Sequence, residues 1–328
     1  MGQRKILVTG GLGLIGHNVV RRLLDLRHEV YITDTQTNYG LVPQDELHYL
    51  IGERCAKIPE IDLRTHRIDI ADHEGIDWLV KHYQPDTVIH MASFPRQKVV
   101  NANPQAGSRS MSEGLLNLCE ASKQHGVDKF VYISSSMVYG DFGDQVQEDA
   151  PCHPQGQYGI MKLAGEWLVR DYTRRDSFDH VIIRPSAVYG PRDVEDRVVS
   201  RFMLSAMRGQ TLQVNGPNES LDFTYVDDVA DGIVAATLQP QANNKTYNIT
   251  RGRSCTLLDA ANLAVRIAGR GSVKIQDRDP NFPSRGALNI TAARRDLGFD
   301  PQVDIEEGFQ RYHEWLANSV YWSKKTVS

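Results

Sequence analysis

The segment QYGIMK (157–162) sets Tyr158 and Lys162 four residues apart, on one face of a helix. A phenol ordinarily loses its proton near pH 10. A neighbouring ammonium favours the phenolate and turns the phenol into a usable base near neutrality. Spacing alone is weak evidence, because Tyr321 and Lys325 in the tail repeat it. Context separates the two pairs. Tyr158 opens a long helical pattern after the apolar run KFVYI, which ends in three hydroxyls, Ser134, Ser135 and Ser136, followed by Met137.

A second constellation precedes this one. TGGLGLIG (9–16) places Gly10, Gly13 and Gly16 between a strand-like run and a helical run, with Leu14 and Ile15 at the helix entrance. Glycines there let the backbone approach a pyrophosphate, which lies against free N–H groups at the helix N-terminus. Turns and close packing also want glycine, so the strand-before, helix-after context carries the argument for a dinucleotide. Asp34 closes the next strand, 18 residues beyond Gly16. Its carboxylate suits two ribose hydroxyls and repels a 2′-phosphate, and TQTNYG after it supplies no arginine, so NAD is expected rather than NADP. Asp69 and Ile70, at the end of a third strand, are placed beside the adenine.

These residues need a scaffold that the chain can be read to supply. KILVTG (5–10), HEVYITD (28–34), HRIDI (66–70), DTVIHMA (86–92), KFVYISS (129–135) and HVIIRP (180–185) read as strands, with helices over about 73–83, 110–125 and 157–175. Val- and Ile-rich strands alternating with helices predict an α/β fold, a Rossmann-type doubly wound parallel sheet. After about residue 187 the rhythm changes. A helix over 194–208, a strand near TLQVNG, and LDFTYVDDVADGIVAATL, read as strand, aspartate N-cap and helix, follow. The expected division is a cofactor domain over 1–186 and a smaller C-terminal α/β substrate domain over 187–328. The segment 224–240 is expected to pack back on the first domain. The tail SVYWSKKTVS offers no readable structure.

Composition bounds the function. Of 328 residues, 41% are hydrophobic and 24% charged, and the formal net charge of -4 argues against a general nucleic-acid binder. No apolar stretch is long enough to span a bilayer, no membrane association is expected, and the opening residues do not read as a signal peptide. The four cysteines form no CxxC pair, so reduced thiols and a cytoplasmic location are expected. His28, His73 and His313 each precede Glu without completing HExxH, and no metal site is expected.

Taken together, TGGLGLIG, Asp34, YISSSMVYG, QYGIMK, RPSAVYGPRD and LDFTYVDDVADG follow an order and spacing that resembles the extended short-chain dehydrogenases/reductases of the sugar-nucleotide epimerase/dehydratase type. The resemblance covers nearly the whole chain. It implies NAD in the first domain and a nucleoside-diphosphate sugar in the second, with hydride removal from a sugar carbon, most often C4. It selects Ser135 as the catalytic hydroxyl, four residues before Tyr139. Ser135 is expected to hold the sugar oxygen that Tyr158 deprotonates, while Lys162 holds the nicotinamide ribose. Ser134, one step off register, is expected to be structural. Ala92 and Ser93 match the cofactor-lining position after the fourth strand.

In dehydratases of this kind, Asp and Glu typically follow the catalytic hydroxyl and expel water. Here those positions are Ser136 and Met137, expected to face the sugar, and a thioether cannot remove a carbon-bound proton. Oxidation without elimination is therefore expected, ending in 4-epimerisation or a released 4-keto sugar. Dehydration by atypical residues and a non-catalytic NAD-binding sensor are the alternatives. Leu221 stands where a diphosphate-gripping arginine is common, Ala187 where asparagine is common, and Met111 where another asparagine is common, while Asn117 matches. Arg285 and Arg192 are the remaining diphosphate candidates, against the alternative of solvated surface charges. Arg96 and Lys98 are weaker candidates for sugar contacts. A UDP- or GDP-linked sugar is expected, as is a homodimer or dimer of dimers.

Overall fold

The computed structural model describes residues 2–40, 42–280 and 282–326. Its first part alternates strand and helix. β1 (Lys5–Thr9), α1 (Gly16–Asp25), β2 (Glu29–Thr33), α2 (Gln44–Cys55), β3 (Thr65–His66), α3 (His73–Tyr83), β4 (Thr87–His90), α4 (Gly114–Gln124), β5 (Lys129–Ile133), α5 (Gly156–Arg174) and β6 (Asp179–Arg184) follow one another. The later part contributes α6 (Val198–Met207), β7 (Thr211–Asn215), α7 (Val226–Leu238), β8 (Lys245–Asn248), α8 (Leu257–Ala268), β9 (Ser272–Gln276), α9 (Ile305–Asn318) and α10 (Val320–Thr326).

Seven strands form one sheet in the order β8-β6-β5-β4-β1-β2-β3, every neighbouring pair parallel. Successive side chains along a strand face opposite sides. Ile6, Val8, Ile89, Val131 and Ile183 accordingly enter one core layer with Val20, Leu23 and Ile233. Leu7, Val88, Phe130 and Ile182 enter the other with Leu79 and Leu118. Burial on both faces is why these strands read as continuous apolar runs. The strand order reverses between β1 and β4, which opens a crevice at the carboxyl ends of the strands.

The last two strand-and-helix contributors to this sheet come from beyond residue 187. α7 packs against α1, and β8 pairs with β6 from Lys245↔Val181 to Asn248↔Arg184. Residues before and after them build a second core around Phe202, Met203, Leu212, Leu263, Phe309 and Tyr312.

Several local expectations are corrected. The third strand stops at His66, because Asp69 turns the chain by accepting from Ala71 N at 2.9 Å. The helix expected over 110–125 begins with a π-helical turn, Arg109–Glu113, beside the crevice. The helix expected from 194 starts at Val198, after a turn in which Arg197 N donates to the Val194 carbonyl. α7 has no aspartate N-cap: Tyr225 holds that position, and Asp228 instead accepts from Gln302 N and Val303 N, tying α7 to the approach to α9. The tail is ordered as α10, with Trp322 fully buried in the second core. α2 carries no clear apolar period in the sequence and was not anticipated.

Candidate active site

The crevice widens into a cavity of about 1090 Å³ between the carboxyl ends of the main sheet and the second core. The glycine loop, the ends of β2, β4 and β5, the start of α5, residues 185–189 and 196–199, and Arg278, Phe282, Pro283 and Arg285 all line it.

Its floor is the loop before α1. Gly10 adopts a left-handed φ of 70°, and a Cβ on Gly16 would stand 2.2 Å from the Gly10 carbonyl oxygen. Only glycine lets this turn close tightly enough to leave Gly13, Leu14 and Ile15 on the cavity wall at the mouth of α1. Asp34 sits beside them, its two carboxylate oxygens accepting from Leu12 N at 2.9 Å and Gln36 N at 2.8 Å. Burial nevertheless raises its pKa, so the site favours whatever donates to this carboxylate. Asp69 and Ile70 line the same end, and Asn117 holds the Ile70 carbonyl at 3.1 Å. Ala92 N donates to Thr9 Oγ1, which places Ala92 and Ser93 on the wall above β1 and β4. A glycine cradle at a helix mouth with a carboxylate on the next strand fits a dinucleotide with free ribose hydroxyls.

Further along the wall, the serines divide their roles. Ser134 Oγ donates to Glu166 at 2.6 Å, and Glu166 makes a buried ion pair with Arg184 at 2.6 Å. Ser134 therefore belongs to the core network. Ser135 Oγ accepts from Met137 N at 3.2 Å and lies near enough to the Tyr158 phenol to hold its pKa down. Ser136 Oγ donates to Ser186 Oγ at 3.1 Å, and Met137 stands beside it, 8% exposed. Ser135, Ser136, Met137, Tyr158 and Lys162 all line the cavity.

The electrostatics of this corner differ from a simple tyrosine–lysine pair. Lys162 Nζ donates to the Ile133 carbonyl at 2.8 Å, and burial lowers its pKa to about 7, against the opposing pull of Glu166. Burial raises the Tyr158 pKa, while the Arg197 charge and the Ser135 hydroxyl oppose the rise. Arg197 escaped the sequence reading because nothing in its spacing ties it to Tyr158. The start of α6, across the crevice, brings it there.

The arginine candidates part company. Arg285 lines the cavity with Nε unpartnered, and burial lowers its pKa to about 10 against the pull of Glu219. Arg192 is not on the cavity wall among the described residues. Its left-handed φ of 72° turns the chain there, and the carboxylates that oppose the burial of its charge, Glu53 and Asp227, are not on the cavity wall. Arg96 and Lys98 reach the cavity but are engaged by Asp196, at 2.8 and 3.6 Å. Arg54, on α2, also lines the cavity, and no sequence motif pointed to it. Among the described residues no cluster of His, Cys, Asp and Glu is suited to a metal ion.

The comparisons with known proteins agree with this layout. The pattern of the NAD dependent epimerase/dehydratase family matches residues 6–250. A Bacillus subtilis (strain 168) protein named as an uncharacterized UDP-glucose epimerase, YtcB, is 29% identical over 96% of this chain and 98% of its own. The dTDP-glucose 4,6-dehydratase of Neisseria meningitidis serogroup B (strain ATCC BAA-335 / MC58) is 29% identical over 97% of this chain and 95% of its own. The crystal structure of UDP-glucuronic acid 4-epimerase from Bacillus cereus, in complex with UDP-glucuronic acid and NAD, superposes with a TM-score of 0.85. It is 27% identical and covers 95% of this chain and 98% of that one. With a cradle that fits the dinucleotide and a match across three quarters of its length, the chain belongs to the NAD dependent epimerase/dehydratase family and is an enzyme that uses NAD.

Proposed function

We propose that the protein oxidises C4 of a nucleoside-diphosphate sugar and returns the hydride to the opposite face, a 4-epimerisation through a 4-keto species. The observation that carries this reading is a cavity wall that brings Ser135, Tyr158 and Lys162 together and on which the two positions after Ser135, Ser136 and Met137, offer no carboxyl group.

Each residue then has a role its chemistry allows. Bound NAD supplies the hydride acceptor. Tyr158 takes the proton of the sugar hydroxyl, Ser135 orients that oxygen, and the Arg197 charge favours the phenolate that forms. Lys162, fixed to the end of β5, holds a ribose hydroxyl of the cofactor. Arg285, a cation with no ion pair among the described residues, is suited to the sugar nucleotide's diphosphate.

Elimination of water needs an acid and a base near C5 and C6. At this end of the cavity Asp196 is held by Arg96, and Asp193 pairs with Arg197 at 3.8 Å through one oxygen, so the case against elimination rests on Ser136 and Met137. The names of the relatives cover both epimerases and dehydratases, so the wall itself must decide. Incubation with UDP-, GDP-, dTDP- and CDP-sugars in deuterated water, followed by mass spectrometry, tests the reading. A new isomer of unchanged mass is expected. Loss of two hydrogens would mean a released 4-keto sugar, and loss of water would overturn the argument from Met137.

A homodimer is part of the same reading. Ile160 and Trp167, on one face of α5, and Leu116 on α4 are 52%, 67% and 44% exposed, and these two helices pack side by side. A second copy of the same helix pair would cover that face. A monomeric mass by light scattering would count against it. The four free cysteines suit a reducing compartment.

A further inference from the structure

Arg54 ends α2 and is 6% exposed. Its guanidinium touches two loops at once: Nη1 donates to the Leu12 carbonyl in the glycine loop at 3.1 Å, and Nη2 to the Arg192 carbonyl at 2.6 Å. Nε is buried and has no partner. Carbonyl dipoles satisfy donors but do not neutralise a charge, and burial accordingly lowers the pKa of this group.

The nearest carboxylates do not complete an ion pair. Asp34 is occupied by Leu12 N and Gln36 N, and Asp193 lies with Arg197. Among the described residues none comes within ion-pair distance of Arg54, although the side chain lines the cavity between Leu12, Gly13 and Asp34. A buried cation on the cavity wall beside a glycine cradle is suited to an anionic partner, and the dinucleotide's phosphates supply one.

We infer that Arg54 is a phosphate anchor for NAD, and that the side chain already joining α2 and the 190–197 loop to the glycine loop couples this joint to the cofactor. The rest of the α2 surface fits that picture, because Glu46 on the same helix accepts from Glu195 N at 2.8 Å. Arg54 thereby links the cofactor site to the segment that carries Arg197 toward Tyr158.

The test is calorimetric titration of nucleotide-free wild type, Arg54→Gln and Arg54→Lys with NAD, ADP-ribose and adenosine. Arg54→Gln should weaken NAD and ADP-ribose by roughly 10- to 100-fold while adenosine, which lacks phosphates, changes less than about twofold. Equal losses for all three ligands, or no loss for any, would overturn the assignment. Should Arg54→Gln not fold, Arg54→Lys decides. It keeps the charge, so NAD should bind within about tenfold of wild type with adenosine unchanged. A larger loss shared with adenosine would sink the proposal.

Discussion

Lys162 Nζ stands 6.0 Å from the centroid of the Tyr158 ring and 2.8 Å from the Ile133 carbonyl at the end of β5. The lysine is thus fastened to the sheet, while the tyrosine shares the cavity wall with Ser135 on the loop that follows. One helical turn of α5 holds the two anchors in register, so the site's geometry is set by a strand end and not by a mobile loop.

Replacing Tyr158 by Phe removes the proton acceptor and leaves the ring. Turnover should fall by about 10²- to 10⁴-fold, the usual contribution of a positioned acid–base group. NAD content of the purified protein, read by absorbance after acid release, should match wild type. Undiminished turnover would dismiss the tyrosine as base.

Stability should depend on pH through Lys162. Its folded pKa of about 7 lies below the unfolded value of 10.5, so the native state sheds a proton that the unfolded chain still holds across that window. Stability contributed by this site therefore rises with pH between the two values and is flat outside them. Lys162→Met abolishes the dependence. In urea unfolding at a series of pH values spanning the window, the variant's stability relative to wild type should decline as pH rises. A constant difference would show that the ammonium is not destabilised by burial.

Glu166→Gln keeps the shape of the carboxylate and discards its charge. Arg184, 3% exposed and paired with Glu166 at 2.6 Å, would be left as an isolated buried cation. A loss of roughly 3–5 kcal/mol in unfolding free energy is expected. Because Ser134 is held by the same carboxylate, a small change would mean that this network is not rigid.

Arg285→Met should weaken UDP binding by about ten- to a hundredfold while leaving the NAD affinity intact, since Arg285 enters from the 278–285 segment across the cavity from the glycine loop. Titration of each nucleotide separately checks this. A parallel loss of NAD would place the arginine on the wrong ligand.

Much of this architecture is legible in the residues. Alternating two-sided burial makes Ile6–Val8 and Val181–Ile183 plain as strands, and the glycines at 10, 13 and 16 announce their loop because no other residue fits the turn. Pairings made late in the chain are not legible. Arg54 and Arg197 sit in α2 and at the mouth of α6, whose local sequence records only helix and surface, and their neighbours come from 42 and 39 residues away or more. Arg192 misled because a motif gives a position and not a direction, and its left-handed backbone aims the side chain elsewhere. Trp322 was hidden in the tail because two adjacent aromatics before paired lysines have no period to read.

β8 lies against β6 although sixty residues of other structure separate them in the chain. During synthesis the sheet consequently keeps a raw border along Val181–Arg184 until Asn248 has emerged from the ribosome, and a nascent fragment ending near 186 would offer that border to its neighbours. The cofactor-binding half is therefore not a detachable module: its manufacture is finished by the half that it was expected to precede.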